Sequence, residues 1–451
     1  MEEIALSRVL TALSYALDLT EGHPRGHTAR SCLIGMWIAR AVGMAPHEQS
    51  DLFYALLLKD AGCSSNATRV HQLFGGTDHV VKRGVWLRDW RRLREQIAYA
   101  LEHVEPDGSL VQRLRKFAGL AAIGPRGAKE LFQIRCDRGA EIAMAIGFPA
   151  DVASAIRAMD EHWDGWGYAK GLRRDEIPLA ARIINLAQVI EIFAAERSPA
   201  AAVAVARDRG GRWFDPALVR ACRPLERDTE FWRTLSGPDL EGTVAAAEPV
   251  ATTVPADGDR VDRIARAFAW VIDAKSAFTY AHSERVADVT ATLAVRLGVP
   301  ASTRNDLWRA ALLHDIGKLG VPNRILDKPG RLTADEWTVV KSHPRYTFEI
   351  LSRAPGFGGI ALDASLHHER LDGRGYYRGV TGEALSLGAR IMAVADVYDA
   401  LLADRPYRPG LPLERVLTML KEDAGTGLCR DCVEALDAAP IVLAAVRSPA
   451  A

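Results

Sequence analysis

Residues 26–44, GHTARSCLIGMWIARAVGM, align without a gap on residues 281–299, AHSERVADVTATLAVRLGV, at an offset of 255. The same offset lays YALLLKDAGC (54–63) on RAALLHDIGK (309–318). A second block repeats at an offset of 208, where EHWDGWGYAKGLRRDEIPLAARIINLAQVIEIF (161–193) meets ERLDGRGYYRGVTGEALSLGARIMAVADVYDAL (369–401). His27 falls on His282, Arg30 on Arg285, Gly43 on Gly298 and Asp60 on Asp315. Similarity of this extent means that one folding unit occurs twice, so the chain is read as two related domains rather than one large core. The expected division is a first copy over 1–238, a linker over 239–258 and a second copy over 259–451. The linker expectation rests on the Pro, Ala and Thr content of PDLEGTVAAAEPVATTVPADG (238–258).

Both copies read as helical. In SERVADVTATLAVRLG (283–298), Val286, Val289, Leu293 and Leu297 recur at helical spacing. Ser283 is placed to cap the start, and Gly298 with Pro300 to end the pattern. The next pattern opens on Thr303 and Asp306 at capping-box spacing and runs into LWRAALLHD. Strand-like alternation is nearly absent. The expected fold class is all-α, one helical bundle per copy, with polar groups projecting inward from several helices.

Charge narrows the partners. Fifty-seven basic residues balance 57 acidic ones, so no net field draws the chain to a nucleic acid polymer or an anionic membrane. No apolar run approaches the ~20 residues of a membrane span, and Glu2 and Glu3 stand where a signal peptide would be basic. The expectation is a cytoplasmic protein with neither partner. Six cysteines are too few for a disulfide framework, and Cys429 with Cys432, a CxxC without a second pair, read as ordinary thiols. The basic run KRGVWLRDWRRLRE (82–95) reads as a solvated helix face, with Trp86 and Trp90 as packing residues.

The histidines carry the chemistry. Of twelve, five lie after His162: His282, His314, His343, His367 and His368. Each sits beside a helix-like apolar pattern, with Asp315 next to His314 and Asp396 inside IMAVADVYDAL. Five imidazoles and two carboxylates, spread one cluster per helix, are what a bundle needs to converge ligands on one interior point. Imidazole-rich sites suit iron, manganese, zinc or nickel and are poor for magnesium or calcium. The donors outnumber those of one tetrahedral metal. The count suggests two metals, with Asp315 placed to bridge them.

The series HSERV, LLHDIGKLGVPNRILDKPGRLTADEW, KSHP, HHERLDGRGY, ARIMAVADVYDAL and DRPYR, in that order between Tyr280 and Arg408, resembles the HD-GYP branch of the HD phosphohydrolases. The resemblance implies two tandem HD-type bundles, the first degenerate and regulatory or structural, the second catalytic. It implies hydrolysis of a cyclic dinucleotide, cyclic di-GMP, by a hydroxide activated by two divalent metals, iron foremost. By position, the metal ligands are His282, His314, Asp315, His343, His367, His368 and Asp396. Lys318 lies beside the metals and joins Asp315 in catalysis, and Arg405 and Arg408 hold substrate phosphates. Another nucleotide as substrate, or a cyclic-dinucleotide-binding scaffold with little turnover, are the alternatives. A homodimer or a signalling-protein partner is left open.

Three positions depart from the pattern. Tyr377 replaces the proline of GYP, removing a fixed φ from the loop. Phe278 stands four before His282, where three-metal members carry glutamate, which favours two metals. GLCRDCVEAL stands in the tail where the family has Phe-Asp-Pro, a pattern the first copy keeps as GRWFDPALV (211–219). The first copy has also lost ligands: Lys59 replaces the histidine of HD, Cys63 the lysine, Cys136 aligns with His343, Met159 and Asp160 with the two adjacent histidines, and Gln188 with Asp396. A lysine at a metal position makes the first copy an expected catalytically dead duplicate.

Overall fold

The computed structural model describes residues 5–106, 108–168, 170–249, 257–276, 278–279, 281–404, 408–439 and 441, with the side chains at 121, 123, 125, 126 and 128 left aside. The chain divides into two compact units, Met1–Arg260 and Val261–Ala451. Both are helical. Among the described residues the only extended pairings are the isolated bridges Gly210 to Phe214 and Ala424 to Leu428.

In the second unit, helix His282–Arg296 packs on Ala301–Leu313 and on Leu387–Leu402. Helix His343–Leu351 packs on the 3₁₀ turn Ile316–Gly320 and on Ala361–Ser365. The first unit repeats the plan. Helix His27–Ala41 packs on Pro46–Leu58 and on Leu179–Glu196. The buried faces are those the apolar spacing marks: Val286, Val289 and Leu293 are fully buried, as are Leu56, Leu57 and Leu58. Burying each such side chain stabilises by roughly 1.5–3 kcal/mol, which holds the bundle around its polar centre.

Local details differ from expectation. Helix His282–Arg296 begins one residue before Ser283, after Ala281 in the left-handed region at φ 52°. Ser283 therefore does not cap; its Oγ donates to Asp273. Helix Ala301–Leu313 begins after Pro300, so Thr303 lies inside it and donates to the Pro300 carbonyl. The expected linker is partly a helix of the first unit. Leu240–Ala247 packs on Leu6–Glu21 and His27–Ala41, and the buried Glu248 accepts from Ser7 Oγ at 2.5 Å and from the Tyr54 hydroxyl. Residues 250–256 of that stretch lie outside the described residues.

The basic run is a solvated face only in part: residues 91–94 are exposed, but its start is not. Lys82 is buried beside Glu21 at 3.2 Å, Arg83 pairs with Glu196, Arg88 with Glu102 and Arg91 with Asp164. Trp86 and Trp90 pack edge-on against Phe132 and Tyr99. In the tail, Leu428 and Cys429 take the places of Phe214 and Asp215 after the isolated bridge. Asp215 caps helix Pro216–Ala221, whereas Cys429 caps Arg430–Asp437 with no side-chain hydrogen bond. Cys429 and Cys432 are both buried free thiols.

Candidate metal centre

A 3₁₀ turn fixes the HD pair. Gly317 lies so close to the start of helix His343–Leu351 that a Cβ on it would fall 1.9 Å from the His343 carbonyl oxygen. Thr347 ties the same junction, accepting from Gly317 N at 3.1 Å and donating to His314 O at 2.8 Å. Glycine is the residue that permits this approach, and it brings Asp315 against His343.

Each imidazole is oriented from behind. Nδ1 of His314 bonds the Ala311 carbonyl at 2.7 Å, that of His343 the Val340 carbonyl at 2.8 Å and that of His367 the Ala364 carbonyl at 2.6 Å. His282 Nδ1 bonds the Asp399 carboxylate at 2.6 Å, and Arg285 Nε holds the other Asp399 oxygen at 2.5 Å. In all four Nδ1 is engaged from outside and Nε2 is left facing inward, the orientation that outer partners give metal-binding histidines.

Asp315 stands between two groups of these nitrogens. Its Oδ2 is 3.6 Å from His282 Nε2 and 3.4 Å from His314 Nε2. Its Oδ1 is 3.3 Å from His343 Nε2 and 3.7 Å from His367 Nε2. Asp396 lies across from it, with Oδ1 3.3 Å from His282 Nε2 and 3.8 Å from His314 Nε2, and Oδ2 3.8 Å from His368 Nδ1. Lys318 reaches Asp315 Oδ2 directly. Six of the seven expected ligands are buried, and His368 is the one with its side chain 23% exposed, which marks the open side.

The donor set fits a divalent transition metal. Nε2 of His282 and of His314 and Oδ1 of Asp315 are buried without any hydrogen bond, and leaving buried polar atoms unpaired costs about 1–3 kcal/mol each. Compact groupings of possible ligand atoms join Asp315 with His343, His367 and His368, and Asp315 with His282 and His314. Imidazole with carboxylate suits borderline metals.

The charges are divided across the centre. Burial opposes a positive His282, but Asp315, Asp396 and Asp399 outweigh it and hold its pKa well above the usual range. Against the same burial, Asp315 and Asp396 push His314 up to about 9. Burial, helped by His314 and His343, pulls His367 down to about 4 against the pull of Asp315. Asp315 is buried too, yet Lys318, His314 and His282 keep it well below the carboxylate range.

All seven expected ligands are thus brought together. Arg405 lies outside the described residues. The Arg408 guanidinium donates to the carbonyls of Ala400, Leu401 and Pro409, closing the end of helix Leu387–Leu402. Tyr377 has φ 101°, a conformation closed to proline, so this loop could not take the GYP residue in its present form. The sequence reading missed Asp399. Its signal was its place three residues after Asp396, one helical turn away.

In the first unit one ligand position, Lys59, is a protein cation, and Arg135 lies next to another, Cys136. The Lys59 ammonium lies 3.0 Å from His27 Nε2 and contacts Asp60. Arg135 grips Asp160 by a two-pronged pair at 2.8 and 2.9 Å and reaches Glu21 at 3.4 Å. Glu21, Asp60 and Cys63 form a compact group of possible ligands, but Lys82, Arg135 and Lys59 already neutralise its carboxylates. The outer support survives intact: His27 Nδ1 contacts Glu191, which also takes Arg30 Nε at 2.7 Å.

A helical bundle that converges five imidazoles and two carboxylates beside a lysine defines a metal-dependent phosphohydrolase of the HD type. A family model described as HD domain matches residues 128–218 and 266–428, which takes in parts of both copies. The 3′3′-cGAMP-specific phosphodiesterase 3 of Vibrio cholerae is 41% identical over 431 residues, covering 96% of this chain and 94% of that protein. The cyclic di-GMP phosphodiesterase response regulator RpfG of Xanthomonas campestris is 42% identical over 180 residues, 40% of this chain and 47% of that protein. Among solved structures, that of a cyclic GMP-AMP specific phosphodiesterase of V. cholerae matches at 38% identity with a TM-score of 0.67, covering 97% of each chain. The chain belongs to the HD-domain family, in its HD-GYP branch. Among the described residues no helix is long and apolar enough to cross a membrane.

Proposed function

We propose that the second unit hydrolyses a phosphodiester bond of a guanine-containing cyclic dinucleotide, cyclic di-GMP or 3′3′-cGAMP, at a two-metal centre. The observation that carries this reading is Asp315, whose two oxygens face two different histidine groups. His282, His314 and Asp396 would hold one metal, His343, His367 and His368 the other, with Asp315 shared. When bound, two such metals supply an activated water at neutral pH and neutralise phosphate charge. The chain's own residues do the rest. Asp399, Ala311, Val340 and Ala364 fix the ligand nitrogens. Lys318, at the edge of the centre, places a cation where negative charge builds on the phosphate. The exposed side at His368 admits the substrate. The relatives support the substrate class: the one that spans this chain is named for 3′3′-cGAMP, and the one for cyclic di-GMP spans two-fifths of it.

The test is metal analysis and turnover on one preparation of the intact protein. About two metals per chain, with iron, manganese, zinc and nickel compared as supplements, are expected. Cyclic di-GMP and 3′3′-cGAMP are expected to be cleaved faster than cyclic di-AMP or mononucleotides. One metal per chain would remove the shared role of Asp315, and cleavage confined to mononucleotides would remove the substrate class.

A further inference from the structure

Beside the metal centre a chain of aromatic rings leads outward to solvent. The Tyr376 ring lies on His368, with centroids 4.6 Å apart and planes at 30°, and 6.4 Å from His343. The loop that carries Tyr376 is drawn tight over the histidines. A Cβ on Gly375 would come 2.4 Å from Glu369 Cα and 2.7 Å from the His368 carbonyl oxygen, and Glu369 accepts from the backbone of Gly379 at 3.1 Å. One ring further out stands Trp337, 6.1 Å from Tyr376 and 43% exposed. Lys341, one helical turn after Trp337, sets its ammonium 5.7 Å from the centroids of both rings.

The first unit has closed the equivalent place. Tyr168 corresponds to Tyr376 at the offset of 208, and Phe132 stacks flat on it, with centroids 4.4 Å apart and planes at 15°. At the offset of 207 that aligns Cys136 with His343, Glu130 and Ile134 replace Trp337 and Lys341. Where the metal ligands are lost, the open indole and its lysine are lost with them.

We propose that Trp337 and Lys341 form a base subsite at the mouth of the centre. A purine stacks on the exposed indole, and the Lys341 ammonium donates to O6 and N7 of a guanine. Every base has a face to stack, but guanine alone offers two acceptors at that edge, where adenine presents an amino donor. Trp337 is thus a binding residue for the base and Lys341 the residue that selects it. The subsite rests on the cyclic dinucleotide reading, since it needs a substrate whose base lies beside the phosphate being cleaved.

The experiment uses the intact, metal-loaded protein with Trp337→Ala, Trp337→Phe and Lys341→Ala. Substrates are cyclic di-GMP, 3′3′-cGAMP, cyclic di-AMP and the base-free diester bis(p-nitrophenyl) phosphate. Trp337→Ala is expected to raise KM for cyclic di-GMP about 10-fold, with a far smaller change in kcat, and Trp337→Phe to recover most of the loss. The loss on bis(p-nitrophenyl) phosphate is expected to be smaller than on cyclic di-GMP. Lys341→Ala is expected to narrow the preference for cyclic di-GMP over cyclic di-AMP by about 10-fold. An unchanged KM in Trp337→Ala, or equal losses on the base-free diester, would overturn the subsite while leaving the functional reading in place. If the unaltered protein cleaves bis(p-nitrophenyl) phosphate but no cyclic dinucleotide, the functional reading fails and the subsite fails with it.

Discussion

His27 and His282 are held alike and face different things. Behind each stands a carboxylate, Glu191 or Asp399, itself held by an arginine, Arg30 or Arg285. In front, His282 Nε2 faces Asp315 and Asp396 with no hydrogen bond, whereas His27 Nε2 meets the Lys59 ammonium at 3.0 Å. The difference teaches that the support of the centre and its chemistry are separable. A buried cluster of carboxylates needs positive charge, and a lysine on the chain supplies it as well as an ion does. In the first unit Lys59, Lys82 and Arg135 already pair with the carboxylates of that cluster. The second keeps imidazole nitrogens and carboxylates facing one another with no cation among the described residues between His282 and Asp396.

The largest effect expected from breaking this comparison is at Asp315. Asp315→Ala removes the carboxylate that faces both histidine groups and should lower turnover by about 10³-fold or more, with loss of metal. Asp60→Ala, the matched change in the first unit, should leave metal content as it is and kcat within about twofold. Turnover and metal analysis on both variants decide the matter. If Asp60→Ala stripped metal as Asp315→Ala does, the first unit would be a second metal site and the assignment of Lys59 as its cation would collapse.

Lys59 provides the next test, read as stability rather than rate. It is fully buried between His27 and Asp60. Removing one partner of such a pair leaves an uncompensated buried charge, so Lys59→Met should cost about 3–5 kcal/mol in denaturant unfolding. Activity measured well below the transition should persist. Lys59→His restores the HD dipeptide but not the ligands lost at Cys136, Asp160 and Gln188, so it should add no metal. A third metal per chain in that variant would mean that one residue alone separates the two copies.

Acid should act on the two units differently. In metal-free protein His314 is raised to about 9 and His282 stands well above the imidazole range, because Asp315 and Asp396 outweigh burial. At neutral pH both carry protons that a metal must displace. Loading therefore releases protons, and metal affinity rises as pH climbs through about 9, where His314 titrates, with His282 raised in the same direction. His27 is the reverse case: burial and Lys59 hold its pKa well below the usual range, so it is neutral in the fold and has no proton to release. Metal titration in weak buffer at two pH values checks this. Loading without proton release would show that the second centre is held neutral by something other than its ligands.

Much of this contrast was legible in the residues. The repeat and the ligand set announce themselves, because histidines beside HD at fixed spacing have few other uses. What supports them does not. Asp399 and Glu191 sit inside apolar helices, where a lone acid reads as a surface residue until the fold turns it onto a histidine. Lys82 sits in a run of basic residues that looks solvated, yet it is buried on Glu21, a partner far away in sequence. Ala281 takes a left-handed φ that its residue type opposes, so the helix that carries the first ligand starts earlier than Ser283 suggests. The Ala-rich stretch after Asp239 has the composition of a linker, and it takes the packing of Leu240–Ala247 and the burial of Glu248 to show that it belongs to the first unit.

Arg408 carries the smallest effect and the sharpest choice between sequence and structure. The resemblance assigns it to a substrate phosphate, while its Nη atoms donate to Ala400 and Leu401 at 2.8 and 3.2 Å and to Pro409 at 3.0 Å. A cation at a helix C-terminus contributes about 0.3–1 kcal/mol, and its hydrogen bonds to partly exposed carbonyls add a similar amount. Arg408→Ala should therefore lower stability by about 1 kcal/mol and leave KM for cyclic di-GMP within about twofold. A phosphate contact would give the opposite pattern: a loss of about 10-fold or more in KM with an unchanged unfolding midpoint. In that event the guanidinium must leave three carbonyls to reach substrate, and the end of helix Leu387–Leu402 would loosen each time substrate binds. Carrying the variant through both measurements separates a residue that closes a helix from one that holds a phosphate, because neither role reproduces the signature of the other.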